Sequence, residues 1–176
     1  ILGINNLNNA VKRENLTSTA KTLEYLNTEF NIAFAKENLQ SIRDGMDLAL
    51  CSFNMEENTV HFSGANSSVF HIRNGILTHL KGDRNAIGSL NTRFSYSESV
   101  HQIEKGDQFF MFTDGYPDQF GGLKNKKLKY KAFKNLLLDI YPLPAIEQKK
   151  KLEIFMENWK GKNDQIDDIT IIGIKV

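Results

Sequence analysis

The chain has 176 residues, a net charge of +1 and an apolar fraction of 40%, with 12 Phe. That length allows one domain with a sizeable core, and the composition excludes a disordered chain. The balanced charge excludes global steering toward nucleic acid or a membrane surface, and the 4 His are too scattered for a zinc-ligand spacing.

Cys51 is the single cysteine, so no internal disulfide forms, which fits a reducing, cytoplasmic compartment. It stands in the apolar run Leu48-Ala49-Leu50-Cys51 and reads as a core residue rather than a nucleophile. No apolar stretch reaches the roughly 18 residues of a membrane span, and no secretory leader is visible. The first residue is Ile1, so the natural protein is expected to begin upstream.

Leu7 and Val11 recur at i+4 and suggest the tail of a helix. Ala20, Leu23, Leu26, Phe30, Ala33 and Phe34 form one apolar stripe, predicting a helix from Thr17 to Lys36 with Ser18 or Thr19 as its cap. After Asp44-Gly45 the period changes. Strands are predicted over Met46 to Phe53, Thr59 to Phe62, Ser68 to Arg73 and Ile76 to Leu80, as an antiparallel meander with an Asn74-Gly75 hairpin turn. Arg73, beside that hairpin, is expected to be solvated. Phe94 to Ile103 alternates and reads as a strand. Phe109 to Phe112 is continuously apolar, which predicts a strand covered on both faces over Gln108 to Thr113. Helices are predicted over Lys131 to Ile140 and Ala145 to Trp159, and a final strand over Ile169 to Val176. No βαβ rhythm occurs, so the fold class is α+β, with helices packed outside sheets.

Two acidic stretches stand at the ends of apolar strands. Phe112-Thr113-Asp114-Gly115 follows one strand, and Gln165-Ile166-Asp167-Asp168-Ile169-Thr170 precedes the last. Carboxylates there are costly unless something cationic satisfies them, and a hard divalent ion does so with oxygen ligands alone. The blander reading keeps Asp114 as a turn or capping residue and Asp167-Asp168 in a solvated loop. Gly115 is read as giving backbone freedom where the strand ends. Arg43, ahead of Asp44-Gly45-Met46-Asp47, is a candidate phosphate contact or an ordinary ion-pair partner. Asp47 is either an outward strand residue or a residue leaning toward the metal. Asn66, in Ser63-Gly64-Ala65-Asn66, either lines a cleft or closes a tight connection. Lys127 belongs to a run of lysines from Lys124 to Lys134, which suits an acidic or phosphorylated protein partner better than stacked nucleic acid, or is a solvated face.

Taken together, Arg43 to Cys51, Ser63 to Asn66, Ala86-Ile87-Gly88, Lys105-Gly106-Asp107, Phe112 to Gly122, Trp159 to Gly161 and Gln165 to Thr170 form an ordered set. That set resembles the catalytic domain of the bacterial sporulation-protein-E-like serine/threonine phosphatases, a branch of the metal-dependent PP2C-type phosphatases. The resemblance spans nearly the whole chain and implies a PP2C-like α-β-β-α sandwich with two Mn²⁺ or Mg²⁺ ions at one end. It places a metal ligand on Asp114, a second on Asp167, and Asp168 as the next candidate. It also implies hydrolysis, by metal-activated water, of phosphoserine or phosphothreonine on a regulatory protein such as an anti-anti-sigma partner. An N-terminal sensor or receiver domain, or a membrane anchor, is expected in the parent protein.

The family's opening strand and its Asp-x-x-Gly-His-Gly-like motif would stand before Ile1, and nothing from Ile1 to Asn9 replaces them. Residues 1–176 are therefore expected to be a partial PP2C-like domain, inactive alone. An open sheet edge is expected to invite self-pairing as a homodimer. The alternatives are a non-catalytic regulatory domain that binds a phosphoprotein, and a structural dimerisation module.

Overall fold

The computed structural model describes residues 2–12, 17–36, 45–89 and 94–176. In chain order the elements are α1 (Leu2–Lys12), α2 (Thr19–Lys36), β1 (Leu48–Asn54), β2 (Thr59–Ala65), β3 (Ser68–Arg73), β4 (Ile76–Lys81), β5 (Ser99–Gln102) and β6 (Gln108–Phe112). They continue with α3 (Gly115–Asp118), β7 (Phe120–Gly121), β8 (Lys126–Lys127), α4 (Lys129–Ile140), α5 (Ala145–Lys160) and β9 (Ile171–Lys175). Two compact units result: Ile1–Ser68 with Leu80–Glu104, and Val69–His79 with Lys105–Val176.

In the first unit, β1, β2 and β5 form a sheet in that order, antiparallel throughout. The stripe foreseen on α2 is the one that packs: Ala20, Leu23, Leu26 and Phe30 are buried with Ala65, Ile87 and Tyr96. The start of α2 is not closed by Ser18 or Thr19 alone. Glu98 reaches it from far along the chain. Its Oε2 accepts the Thr19 N–H at 2.5 Å, the Thr19 hydroxyl at 2.7 Å and the Ser18 hydroxyl at 3.0 Å. Partial burial opposes ionisation of Glu98, but hydrogen bonds from Thr19, His61 and Ser18 outweigh it and hold the carboxyl at about 2. Asn27, buried on the same helix, accepts the Gly88 N–H at 2.9 Å.

Gly64 sits where two backbones approach closely. A β-carbon there would fall 2.4 Å from the Ser67 carbonyl oxygen and 2.9 Å from the Gly82 α-carbon. The strand expected over Phe94 to Ile103 is reduced to Ser99–Gln102. The preceding residues spend their groups elsewhere: Ser97 N–H goes to the Asp83 carboxylate, Tyr96 packs into the core, and Glu98 caps α2.

In the second unit the sheet order is β4-β3-β6-β9. Consecutive strands expected as a single meander are thus divided between two sheets, β1 and β2 in one, β3 and β4 in the other. Asn74 (φ +48°) and Gly75 (φ +76°) both adopt the left-handed region, as a two-residue type I′ hairpin requires. Phe109 and Phe110 of β6 are buried, as their unbroken apolar run predicts. Phe70, Phe110, Tyr116, Phe133, Leu137, Leu152 and Met156 join β3, β6, α3, α4 and α5 in one core.

Arg73 is only partly exposed and is paired, rather than simply solvated as expected. Its Nε and guanidinium nitrogen donate to Asp107 at 2.8 and 2.6 Å, and Asp107 is 1% exposed. The reason is the turn Lys105-Gly106-Asp107, which returns a carboxylate to the end of β3 and must pair it on burial. Two further elements carried no readable signal. These are the one-turn helix α3, with Pro117 inside it, and the β7–β8 hairpin, where Phe120 faces Lys127. Among the described residues no helix is long and apolar enough to cross a membrane.

Candidate metal centre

β6 pairs antiparallel with β9, Phe112 opposite Ile171. Antiparallel pairing sets the C-terminal end of one strand beside the N-terminal start of the other. Asp114 and Asp168 therefore leave the sheet at the same end. The ladder continues one step beyond the strands, with the Thr113 N–H donating to the Thr170 carbonyl at 3.0 Å. The Thr113 hydroxyl then donates to the Asp168 carbonyl at 2.8 Å and accepts the Thr170 N–H at 2.9 Å.

Asp114 opens α3 with helical backbone angles, and its carboxylate makes no capping hydrogen bond. Gly115 follows, and a β-carbon there would sit 2.5 Å from the Asp168 carbonyl oxygen and 3.3 Å from the Asp167 carbonyl carbon. Its missing side chain serves close approach of two backbones, not an unusual φ. The two acidic stretches are thus in contact through their main chains.

Asp114, Asp167 and Asp168 are all exposed. Asp167 Oδ1 accepts the Asp168 N–H at 2.7 Å, and Gln165 Nε2 donates to the Asp167 carbonyl at 2.8 Å. Among the described residues no cation pairs with Asp114 or Asp168. No three His, Cys, Asp or Glu groups among the described residues converge closely enough to enclose an ion. An all-oxygen, water-facing set with unpaired carboxylates fits a hard divalent cation that keeps most of its waters and takes one or two carboxylates.

The other candidates are distributed differently. Lys127, on β8, donates to Asp118 at 2.7 Å at the far end of α3. Asn66 belongs to the first unit, has φ +49° and donates to Asp47 at 2.9 Å. Asp47 is exposed and accepts that bond. Arg43 and Asp44 lie outside the described residues. Cys51 is half-buried, and burial pushes its thiol up to about 11, which suits the inert role expected of it. The sequence reading passed over Thr113 and Gln119, because nothing in a single chain shows which strand a strand will pair with.

The two acidic stretches thus meet at one rim of an α+β domain, where β6 and β9 end and begin. A match to the family Stage II sporulation protein E (SpoIIE) runs over residues 4–176, and the chain belongs to that family. The SiaA-PP2C domain of Pseudomonas aeruginosa superposes with a TM-score of 0.88 at 24% identity, over 99% of this chain and 68% of that one. The catalytic domain of the serine/threonine protein phosphatase PstP, in complex with 2 manganese ions, gives 0.65 at 14% identity, over 98% and 77%. The RsbU and RsbW domains of Rv1364c from Mycobacterium tuberculosis give 0.70 at 14% identity, over 97% and 45%. These similarities establish the fold as PP2C-like. No match is found among curated protein sequences.

Proposed function

We propose that residues 1–176 are part of the catalytic domain of a metal-dependent phosphatase, and that the full-length protein acts on phosphoserine or phosphothreonine of a regulatory protein. Asp114 and Asp167 are the assigned metal ligands, with Asp168 beside them, for two Mn²⁺ or Mg²⁺ ions. The supporting observation is the interlock of Thr113 with Asp168 and Thr170, with Gly115 packed on the Asp168 carbonyl. Bound divalent ions supply positive charge against the phosphoryl oxygens and acidify water.

The chain's own part is positional. Thr113 holds the loop that carries Asp167. Asp114 leaves its carboxylate uncommitted at the start of α3. Gly115 allows the two backbones to touch. Lys127, tethered to Asp118, is the proposed phosphate contact of the second unit. The manganese complex of PstP supports the choice of ion. The pairing of RsbU and RsbW domains in Rv1364c supports a protein partner, and an anti-anti-sigma-like substrate met in the cytoplasm belongs to the same proposal. An upstream sensor or receiver domain, and self-association along β9, which ends its sheet order, belong to the same proposal.

The test is Mn²⁺-dependent hydrolysis of para-nitrophenyl phosphate and of a phosphoserine protein by the full-length protein. Asp114→Asn is expected to remove most turnover and weaken Mn²⁺ binding. Unchanged turnover in that variant rejects the assignment. A second reading is a non-catalytic domain that binds a phosphoprotein. It draws on the lysine run from Lys124 to Lys134, exposed at Lys124, Lys126, Lys127, Lys129 and Lys131. It predicts phosphoprotein binding without release of phosphate.

A further inference from the structure

Gln119 follows α3 and is fully buried. A buried amide is costly unless its donors and acceptor are used. Gln119 spends two of its three contacts on one segment, residues 164–166. Its Nε2 donates to the Asp164 carbonyl at 2.9 Å and to the Phe120 carbonyl at 3.2 Å, and its Oε1 accepts the Ile166 N–H through a longer contact of 3.4 Å. Its backbone is itself anchored, the main-chain carbonyl accepting Trp159 Nε1 at 2.9 Å and the Leu128 N–H at 3.0 Å.

Residues 163–170 form neither helix nor strand. Their position is set by cross-links to neighbouring elements. Thr113 grips the Asp168 to Thr170 side, and Gln119 grips the Asp164 to Ile166 side. Asp167 lies between the two grips. Gln165, flanked by both Gln119 contacts, carries the restraint onward by donating to the Asp167 carbonyl. The two gripping residues bracket Asp114, one just before it and the other at the close of the helix it opens. The segment carrying one acidic stretch therefore clamps the loop carrying the other at both ends.

We propose that Gln119 is a positioning residue for Asp167 and Asp168, holding their loop where a divalent cation can be shared with Asp114. The inference rests on the reading of Asp167 as a metal ligand. Gln119 acts through the main chain of residues 164 and 166 and touches neither metal nor substrate.

The experiment uses the full-length protein. Gln119→Met keeps the bulk of the side chain and removes the amide. Its Mn²⁺ affinity, measured by isothermal titration, is expected to fall about 10- to 100-fold, as for other residues that orient metal ligands. In the metal-free protein, amide exchange at Ile166 and Asp168 is expected to accelerate in the variant beyond any change in the β3–β6 core. Gln148 supplies the matched control, since it is a buried amide in the same unit that bonds Gln108, Tyr141 and Leu143. Gln148→Met is expected to cost global stability while leaving the Mn²⁺ affinity of the folded protein unchanged.

Wild-type affinity in a folded Gln119→Met protein overturns the proposal, and so does an equal loss in Gln148→Met. If Gln119→Met does not fold, Gln119→Leu, which removes the amide without adding a charge, gives the same comparison. An Ile166 amide in the wild type that exchanges as fast as the exposed Lys162 amide also overturns it. Should the wild-type protein bind no Mn²⁺, the metal assignment fails, and the exchange comparison still decides whether Gln119 holds the loop.

Discussion

The Thr113 hydroxyl and the Asp168 carbonyl are 2.8 Å apart, joined by a hydrogen bond between residues 55 positions apart in the chain. Removing that hydroxyl while keeping the β-branch, as in Thr113→Val, strands the Asp168 carbonyl and the Thr170 N–H. Both groups are exposed and recover part of their bonding from water. The expected stability loss is about 1 kcal/mol, read by urea unfolding. Mn²⁺ affinity is expected to drop more than that loss implies. A variant that loses stability but binds Mn²⁺ as before separates Thr113 from the proposed centre.

Gly115→Ala tests the contact of the two backbones. The added β-carbon meets the Asp168 carbonyl oxygen, which belongs to main chain and cannot swing aside. A forced shift of this kind costs about 1–3 kcal/mol. The expected result is a folded protein with reduced Mn²⁺-dependent phosphatase activity. Full activity with undiminished stability shows that the loop yields without consequence.

Arg73 and Asp107 sit at the opposite end of β6 from Asp114. Five strand residues separate the two ends, roughly 17 Å along the strand. Arg73→Met leaves the buried Asp107 carboxylate without its bidentate partner. The expected loss is about 3 kcal/mol, the low end for breaking such a pair because Arg73 is partly exposed. Mn²⁺ affinity of the folded protein is expected to stay unchanged. The thermal unfolding midpoint and a metal titration check the two halves of the prediction.

Glu98 predicts an acid-sensitive start to α2. Its carboxyl is held at about 2 in the folded protein, below the ordinary value of 4.5. A depressed folded value means that the unfolded chain takes up the proton first as pH falls. The stabilisation is therefore complete above the ordinary value and is lost as pH drops from there toward 2. Glu98→Gln is expected to lower stability near neutral pH and to flatten this part of the stability profile. Chemical unfolding at a series of acid pH values measures it, and an unaltered profile in the variant would assign the acid sensitivity elsewhere.

Much of the fold was legible because it is written in local periods. The stripe on α2, the apolar run of β6 and the Asn74-Gly75 turn each act over a few residues, and each is present where those patterns put it. Partnership between distant segments was not legible. Arg73 read as solvated because its partner Asp107 is brought to it only by the sheet. The strand expected from Phe94 was cut short because Asp83 and Thr19 claimed its polar groups. At the candidate centre the acids stand out in the sequence by their place at strand ends, and the structure brings the two stretches into main-chain contact. Thr113 and Gln119 do not stand out, since an isolated threonine or glutamine carries no mark of what it will hold.

The pairing of β6 with β9 also sets an order of events during synthesis. Thr113 leaves the ribosome well before Thr170, and until β9 emerges the rim at Asp114 has only one of its two sides. A nascent chain halted before β9 lacks the second acidic stretch altogether. On the proposed assignment, the cation's harbour is finished only after translation has run past Asp168.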